Sequence, residues 1–185
     1  MSAHHEIRFS GSGGQGMMLL GDVMAQAAGI LEGKEILLTK SYGPESRGGA
    51  CRSELIVDDQ PIDSPTLGHA DVLLAMTQLA CDAYASDLAE NGTLVVDSGL
   101  VQRVPERKNI FRIPLTALAK EVSGKEIAAN VVALGALAVL GNIASPESVR
   151  AAMHARFPEK LREANDRVFD AGMSAARKAL EEGNA

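Results

Sequence analysis

The sequence predicts an α/β fold, a doubly wound parallel or mixed sheet with a helical C-terminal portion. Three observations predict it. Short Val/Ile/Leu-rich runs alternate with helix-patterned stretches as far as about residue 123. A glycine-rich turn joins the first run to the first helix, and from Pro114 onward almost every segment carries a helical pattern. The chain has 185 residues, the size of one ordinary domain. It reads as a single domain over 1–185, with an α/β core over about 5–145 and a helical tail over about 146–185.

Each element has its own signal. Ile7–Ser10 is β-like and ends in Gly11-Ser12-Gly13-Gly14-Gln15-Gly16. A helix follows, with a stripe of Met18, Leu19, Val23, Ala25 and Ala27, and Gly29 and Gly33 mark its end. Glu35-Ile36-Leu37-Leu38-Thr39 is apolar enough for a strand covered on both faces. A loop rich in breakers, Ser41 to Gly49, leads into residues 50–57, which alternate with Cys51, Ser53, Leu55 and Val57 on one side. Asp58-Asp59 is a turn, and Ile62–Pro65 a short extended piece. Ala70–Met76 is a buried strand. Gln78–Glu90 has a helix pattern that Asn91-Gly92 would cap. Thr93–Asp97 and Asn109–Ile113 are two more strands. Leu115–Val122, Ala128–Leu140, Pro146–Arg156 and Lys160–Glu182 are helices, the third opened by Ser145-Pro146.

Composition removes several function classes. Eighteen basic against twenty-four acidic residues give a net charge of −6, without the broad basic face that nucleic-acid binding needs. Aromatic residues are 3% of the chain, too few for base-stacking platforms. The longest apolar run, Val131–Gly141, is well short of the roughly 20 residues a membrane helix requires. The N-terminus carries no export signal, so a cytoplasmic protein is expected, with no membrane and no nucleic-acid partner. Cys51 and Cys81 form no cluster spacing and read as core residues; His4, His5, His69 and His154 share no ligand spacing. No metal site is expected on this chain. Ser10, Ser12 and Ser41 lack a nucleophile elbow and a paired histidine, so no catalytic residue is assigned.

Two loops carry chemistry. Gly11-x-Gly13-x-x-Gly16 lies between a strand and a helix, where glycines let the backbone approach a phosphate and the helix N-terminus attracts negative charge. The arrangement is Rossmann-like. A nicotinamide site would place a carboxylate at the end of the second strand, but that strand ends Thr39-Lys40-Ser41. Lys40 is a possible phosphate contact or a solvated lysine. In the loop that follows, Pro44 fixes one bend, Gly48-Gly49 permits another, and Arg47 offers a guanidinium for phosphate or carboxylate. Asn130 opens the apolar helix Val131–Leu137, as a cap or as a ligand contact at the same pole. Arg103, Arg107 and Lys108 precede a strand and are as well explained by solvation as by a ligand.

These motifs together resemble a known family. Gly11–Gly16 with Gly21, then Ser41-Tyr42-Gly43-Pro44-Glu45-Ser46-Arg47-Gly48-Gly49-Ala50, resembles the gamma subunits of 2-oxoacid:ferredoxin oxidoreductases. The likeness extends through Pro61–Pro65, Asp71–Met76 and Asn130–Gly135 and covers about residues 5–140. The SYGPE form is most similar to the 2-oxoglutarate type. The resemblance implies a multi-subunit enzyme that decarboxylates a 2-oxoacid, 2-oxoglutarate in this form, to an acyl-coenzyme A and reduces ferredoxin. It implies that thiamine diphosphate, Mg and [4Fe–4S] clusters sit on alpha, beta and ferredoxin-like delta partners. It further implies that this chain helps bind coenzyme A through Gly11, Ser12, Gly13, Gly14, Gln15, Gly16, Ser41, Tyr42, Arg47, Gly48, Gly49 and Asn130. A stand-alone nicotinamide- or flavin-dependent enzyme is the rival reading, and a purely structural assembly subunit is the third.

Overall fold

A computed structural model describes residues 4–42, 50–64 and 66–183. Its strands are β1 (His5–Gly11), β2 (Glu35–Ser41), β3 (Cys51–Asp58), β4 (Ala70–Ala75), β5 (Leu88–Asp97) and β6 (Ile110–Ile113). They form one sheet in the order β2-β3-β1-β4-β5-β6. β1, β4, β5 and β6 pair in parallel, while β3 is antiparallel to both β1 and β2. The sheet is therefore mixed, and every strand except β3 ends at the same edge. Loops leaving that edge include Ser12–Gly16 after β1 and the chain after Ser41. It is also the edge where ligands collect in open α/β sheets.

The helices are α1 (Met17–Ala25), α2 (Gln78–Tyr84), α3 (Leu115–Ser123), α4 (Ala129–Leu140), α5 (Pro146–Arg156) and α6 (Arg162–Gly183). The main core lies on one sheet face. There Ile7, Phe9, Leu55, Val57, Val72 and Leu74 meet side chains of α1, α3, α4, α5 and α6. On the other face Leu73, Ala75, Leu94 and Val96 meet Ala80 and Cys81 of α2, together with Ala85 and Val101 from the chain that follows α2 and β5. The helical tail is thus part of the main core. Ser145 caps α5 by accepting from Ser148 N, with Pro146 in the first turn, as its sequence requires.

Several expectations are corrected. The helix expected over Gln78–Glu90 ends at Tyr84, and Asn91-Gly92 lies inside β5 instead of capping it. The β4–β5 register shifts between Ala70 and Val72, and a Cβ on Gly92 would sit 3.1 Å from the Ala70 carbonyl oxygen. Close approach at this irregularity, not a helix end, requires the glycine. β2 is not covered on both faces: it is an edge strand, with Glu35, Ile36, Lys40 and Ser41 exposed. Its apolar run mimics a central strand because Ile36 and Leu38 pack on Gly29 and Gly21 of the adjoining helix. The buried face of α1 is Met17, Leu20, Val23 and Met24, leaving Met18 and Leu19 half-buried. Beyond Ala25 the helix continues as a wider π turn through Leu31. Ile62–Ser64 adopts no regular element. Cys81 is buried, but Cys51 is only partly so; both thiols are free.

Candidate functional site

The glycine loop closes β1 and opens α1. Gly16 is the residue before the first helical turn and adopts φ +79°; Gly14 adopts φ +87°. Side-chain-bearing residues rarely take these angles, and at Gly16 a Cβ would also collide with the Asn130 carboxamide. No side chain caps the N-terminus of α1, and no acidic residue occupies its first turn. The partial positive charge of that helix end is therefore not neutralised from within the helix. The loop is braced internally: Ser12 N donates to Gln15 Oε1 at 2.7 Å, and Gln15 N donates to the Ser12 carbonyl at 3.3 Å. The Ser12 N–H is therefore taken by Gln15.

Asn130 is not a helix cap. It is the second residue of α4, whose preceding residue Ala128 has no side-chain cap, and the amide lies over Gly16 instead. The expected cap role is therefore not the one it plays. Two cavities flank the loop. One, of about 390 Å³, is lined by Gly13, Gly14, Gln15, Leu100, Thr116 and Ile127 among others. The other, of about 450 Å³, adjoins Gly14, Gly16, Ser123, Lys125, Asn130 and Asn165. Ile127, between the two, is 69% exposed.

Other expected site residues are placed as follows. Ser41 and Tyr42 lie at the end of β2, both exposed, on the same edge as the glycine loop. The registers Gly11 with Cys51 and Ser41 with Arg52 bring these two strand ends together across β3. Arg47, Gly48 and Gly49 lie outside the described residues. Lys40 is bound at 2.5 Å to Asp22, so it is engaged within the protein. Arg103 pairs with Asp82, and Arg107 donates to the Ala89 carbonyl, which gives both a structural role.

Asp97, at the end of β5, is a buried carboxylate that accepts from Gly99 N, Thr116 N and Thr116 Oγ1 at 3.0, 2.9 and 2.5 Å. These donors fix the first turn of α3 beside the smaller cavity. Sequence reasoning missed this residue and the whole C-terminal wall of the larger cavity. A signal for that wall existed: Asn165 is a polar residue on the face of α6 that otherwise buries Val168, Phe169, Gly172 and Met173. Among the described residues, no group of three or more His, Cys, Asp or Glu could hold a metal ion. No helix among them is long and apolar enough to cross a membrane.

The uncapped, glycine-opened end of α1 lies between the two cavities, and the described residues there offer no nucleophile–base pair. The profile of the pyruvate ferredoxin/flavodoxin oxidoreductase family matches residues 6–175. The chain is 42% identical over 175 residues to the 2-oxoglutarate synthase subunit KorC of Methanocaldococcus jannaschii, covering 93% of this chain and 94% of that one. Its fold is similar to the gamma subunit of a keto/oxoacid ferredoxin oxidoreductase from Geobacter sulfurreducens PCA, with TM-score 0.86, 45% identity, and coverage of 96% and 98%. It is also similar, with TM-score 0.83 and 25% identity, to the 2-oxoglutarate:ferredoxin oxidoreductase of Magnetococcus marinus, whose structure holds 2-oxoglutarate, coenzyme A and succinyl-CoA. There 95% of this chain matches 31% of a longer one. The rival reading, a stand-alone nicotinamide or flavin enzyme, finds no support in these relatives or at the end of β2. Glycine loop, sheet order and relatives agree: the chain belongs to the pyruvate ferredoxin/flavodoxin oxidoreductase family, as a gamma-type subunit of a 2-oxoacid:ferredoxin oxidoreductase.

Proposed function

We propose that this subunit, acting as one domain over 1–185, serves a cytoplasmic 2-oxoglutarate:ferredoxin oxidoreductase and holds coenzyme A for it. The 2-oxoglutarate assignment leans on the likeness to the KorC subunit and to the Magnetococcus enzyme. The observation that carries the coenzyme A reading is the uncapped N-terminus of α1, opened by Gly14 and Gly16 and flanked by two cavities. A pyrophosphate suits that pole, because backbone N–H groups and the helix dipole both favour negative charge. Arg47, which follows β2 in the sequence, supplies a bidentate phosphate contact on this reading.

The remaining chemistry is assigned to partner chains. Thiamine diphosphate with Mg, and the [4Fe–4S] clusters, belong on alpha, beta and ferredoxin-like delta subunits, through which electrons reach ferredoxin. The donor set supports this. Cys51 sits beside the glycine loop while Cys81 lies under α2 on the other sheet face, so the two cannot share a cluster. When bound, thiamine diphosphate supplies the carbanion chemistry of decarboxylation. This chain binds and orients the thiol carrier that accepts the acyl group.

Gly13→Val tests the reading. A Cβ at Gly13 meets nothing within 4 Å, so the fold tolerates the change, while the new side chain occupies the loop's ligand side. In the assembled complex, 2-oxoglutarate-dependent viologen reduction should show a KM for coenzyme A raised about tenfold or more, exceeding any change in the 2-oxoglutarate KM. An unchanged coenzyme A KM with weakened subunit association would instead favour a purely structural assembly role.

A further inference from the structure

The two ends of the sheet are finished differently. β6 is four residues long and exposes Arg112, a short, charged edge of the kind that resists pairing with another chain. β2 is seven residues long and pairs with β3 without a bulge from Glu35 to Ser41. Among the described residues no strand lies along its outer side. Its outward backbone N–H and C=O groups are therefore a template for one more strand. Apolar side chains surround them. Ile36 is 37% exposed, and Ile30 and Leu31, in the turn whose Gly29 meets Ile36, are 76% and 46% exposed. Scattered apolar residues need no explanation, but a contiguous group beside an open strand marks a docking surface.

The sequence of the strand selects the occupant. Two copies of one chain related by a two-fold axis normal to the sheet meet as antiparallel strands, and every side chain keeps its own face. Only residues of equal parity then oppose each other. With Leu38 on the axis, Leu38 meets its own mate, Leu37 faces Thr39, Ile36 faces Lys40 and Glu35 faces Ser41. No like charges oppose in this register, and its centre is apolar. Lys40 is already held by Asp22, so Ile36 meets its aliphatic stem. With Leu37 on the axis instead, Lys40 would face Lys34, a repulsive pair. Ile36 and Leu38 pack on Gly29 and Gly21, so the turn carrying Ile30 and Leu31 flanks the new strand pair on that side of the sheet.

We propose that β2 is an interface between two copies of this chain, which pair antiparallel about Leu38 and join two six-stranded sheets into one of twelve strands. The surface lines neither cavity beside the glycine loop, so it is independent of the coenzyme A reading. In the assembled oxidoreductase it links two sets of subunits.

Sedimentation of the full chain by itself, at micromolar concentration, tests this. The wild-type chain should run at twice its 19.4 kDa mass. Ile36→Lys sets a second cation opposite Lys40 of the other copy and should raise the dimer dissociation constant about a hundredfold or more. Ile36→Val should leave it within about threefold. Adding Lys40→Ala to Ile36→Lys should recover part of the loss, because the facing charge goes; no recovery overturns the register. Ile30→Glu, at a side chain already in water, should weaken the dimer in the same direction and serves if Ile36→Lys fails to fold. A dimer that neither Ile36→Lys nor Ile30→Glu weakens uses another face and overturns the proposal. So does a wild-type chain that sediments as a monomer; if its Ile36→Lys variant then fails to join the partner subunits, the edge belongs to one of them.

Discussion

The two faces of the sheet are held by different physics. On the thick face, five helices cover the strands, and side chains such as Phe9, Leu20, Met24, Leu134 and Phe169 are excluded from water entirely or nearly so. On the thin face α2 covers β4 and β5, and the region over β1 and β3 is filled by an ionic cluster. Arg8 donates to Glu54 at 2.7 Å and to Asp87 at 2.9 Å, and its guanidinium lies 4.7 Å from the centre of the Tyr84 ring. Arg52 approaches the same ring and donates to its hydroxyl at 3.2 Å. One face is stabilised by removing apolar area from water; the other depends on a few directional contacts, each of which must be satisfied.

The sharpest way to break the thick face is at its closest backbone contact. α4 and α6 approach through Gly135, whose Cβ would meet the Phe169 carbonyl, and Gly172, whose Cβ would meet the Val132 carbonyl. Neither obstacle is a flexible side chain, so the helices would have to move apart. Gly172→Val should cost about 4 kcal/mol or prevent folding altogether, which a denaturant melt measures. A loss under about 1 kcal/mol would mean that the two helices slide freely and that the thick face is not closely packed there.

The thin face breaks differently. Arg8→Met removes the cation but leaves Glu54 and Asp87 facing each other, and should cost about 3 kcal/mol. Glu54→Leu on the same chain should recover part of that loss, because it removes a carboxylate left with the longer Arg52 contact, at 3.5 Å, as its ion pair. Additive losses in the double variant would show that Arg8 acts through packing on Tyr84, 4.7 Å away, more than through charge.

This contrast also explains what the sequence made legible. Regular apolar periodicity reports burial, so the strands and the long helices of the thick face could be read directly. Gly135 and Gly172 sat inside those helices as an unread hint, since a glycine in a helix interior is costly unless another backbone comes close. The thin face has no such code. Arg8 and Glu54 lie directly opposite across β1 and β3, and nothing in either strand alone announces the pair. The β2 error has the same origin, because strand order decides whether an apolar strand is central. At the site, the glycine loop was visible because its spacing is local. Asn130, Lys125 and Asn165 come together only when α4 and α6 close over α1, a long-range event that no spacing rule records.

The weakest of these contacts still sharpens the comparison, because it lies on the outer rim of the thick face. Arg150 of α5 binds Asp166 at 2.8 Å and also Asp170, stacks 4.7 Å from the Phe169 ring, and shares Asp166 with His154 at 2.8 Å. Burial pushes the Asp166 carboxyl up, but the hydrogen bonds from Arg150 and His154 outweigh it and hold the group below its usual 3.8. A carboxyl lowered on folding adds stability that is complete above its unfolded value and fades as the pH falls through its folded one. Asp166→Asn should therefore cost about 0.5 kcal/mol at neutral pH, with partial exposure keeping the figure small. That difference should hold constant down to about pH 5 and shrink towards zero below pH 3.8. A difference that persists in acid would assign the contribution to shape at the α5–α6 contact, making this rim an extension of the apolar core; one that vanishes would make it a small ionic counterpart of the thin face.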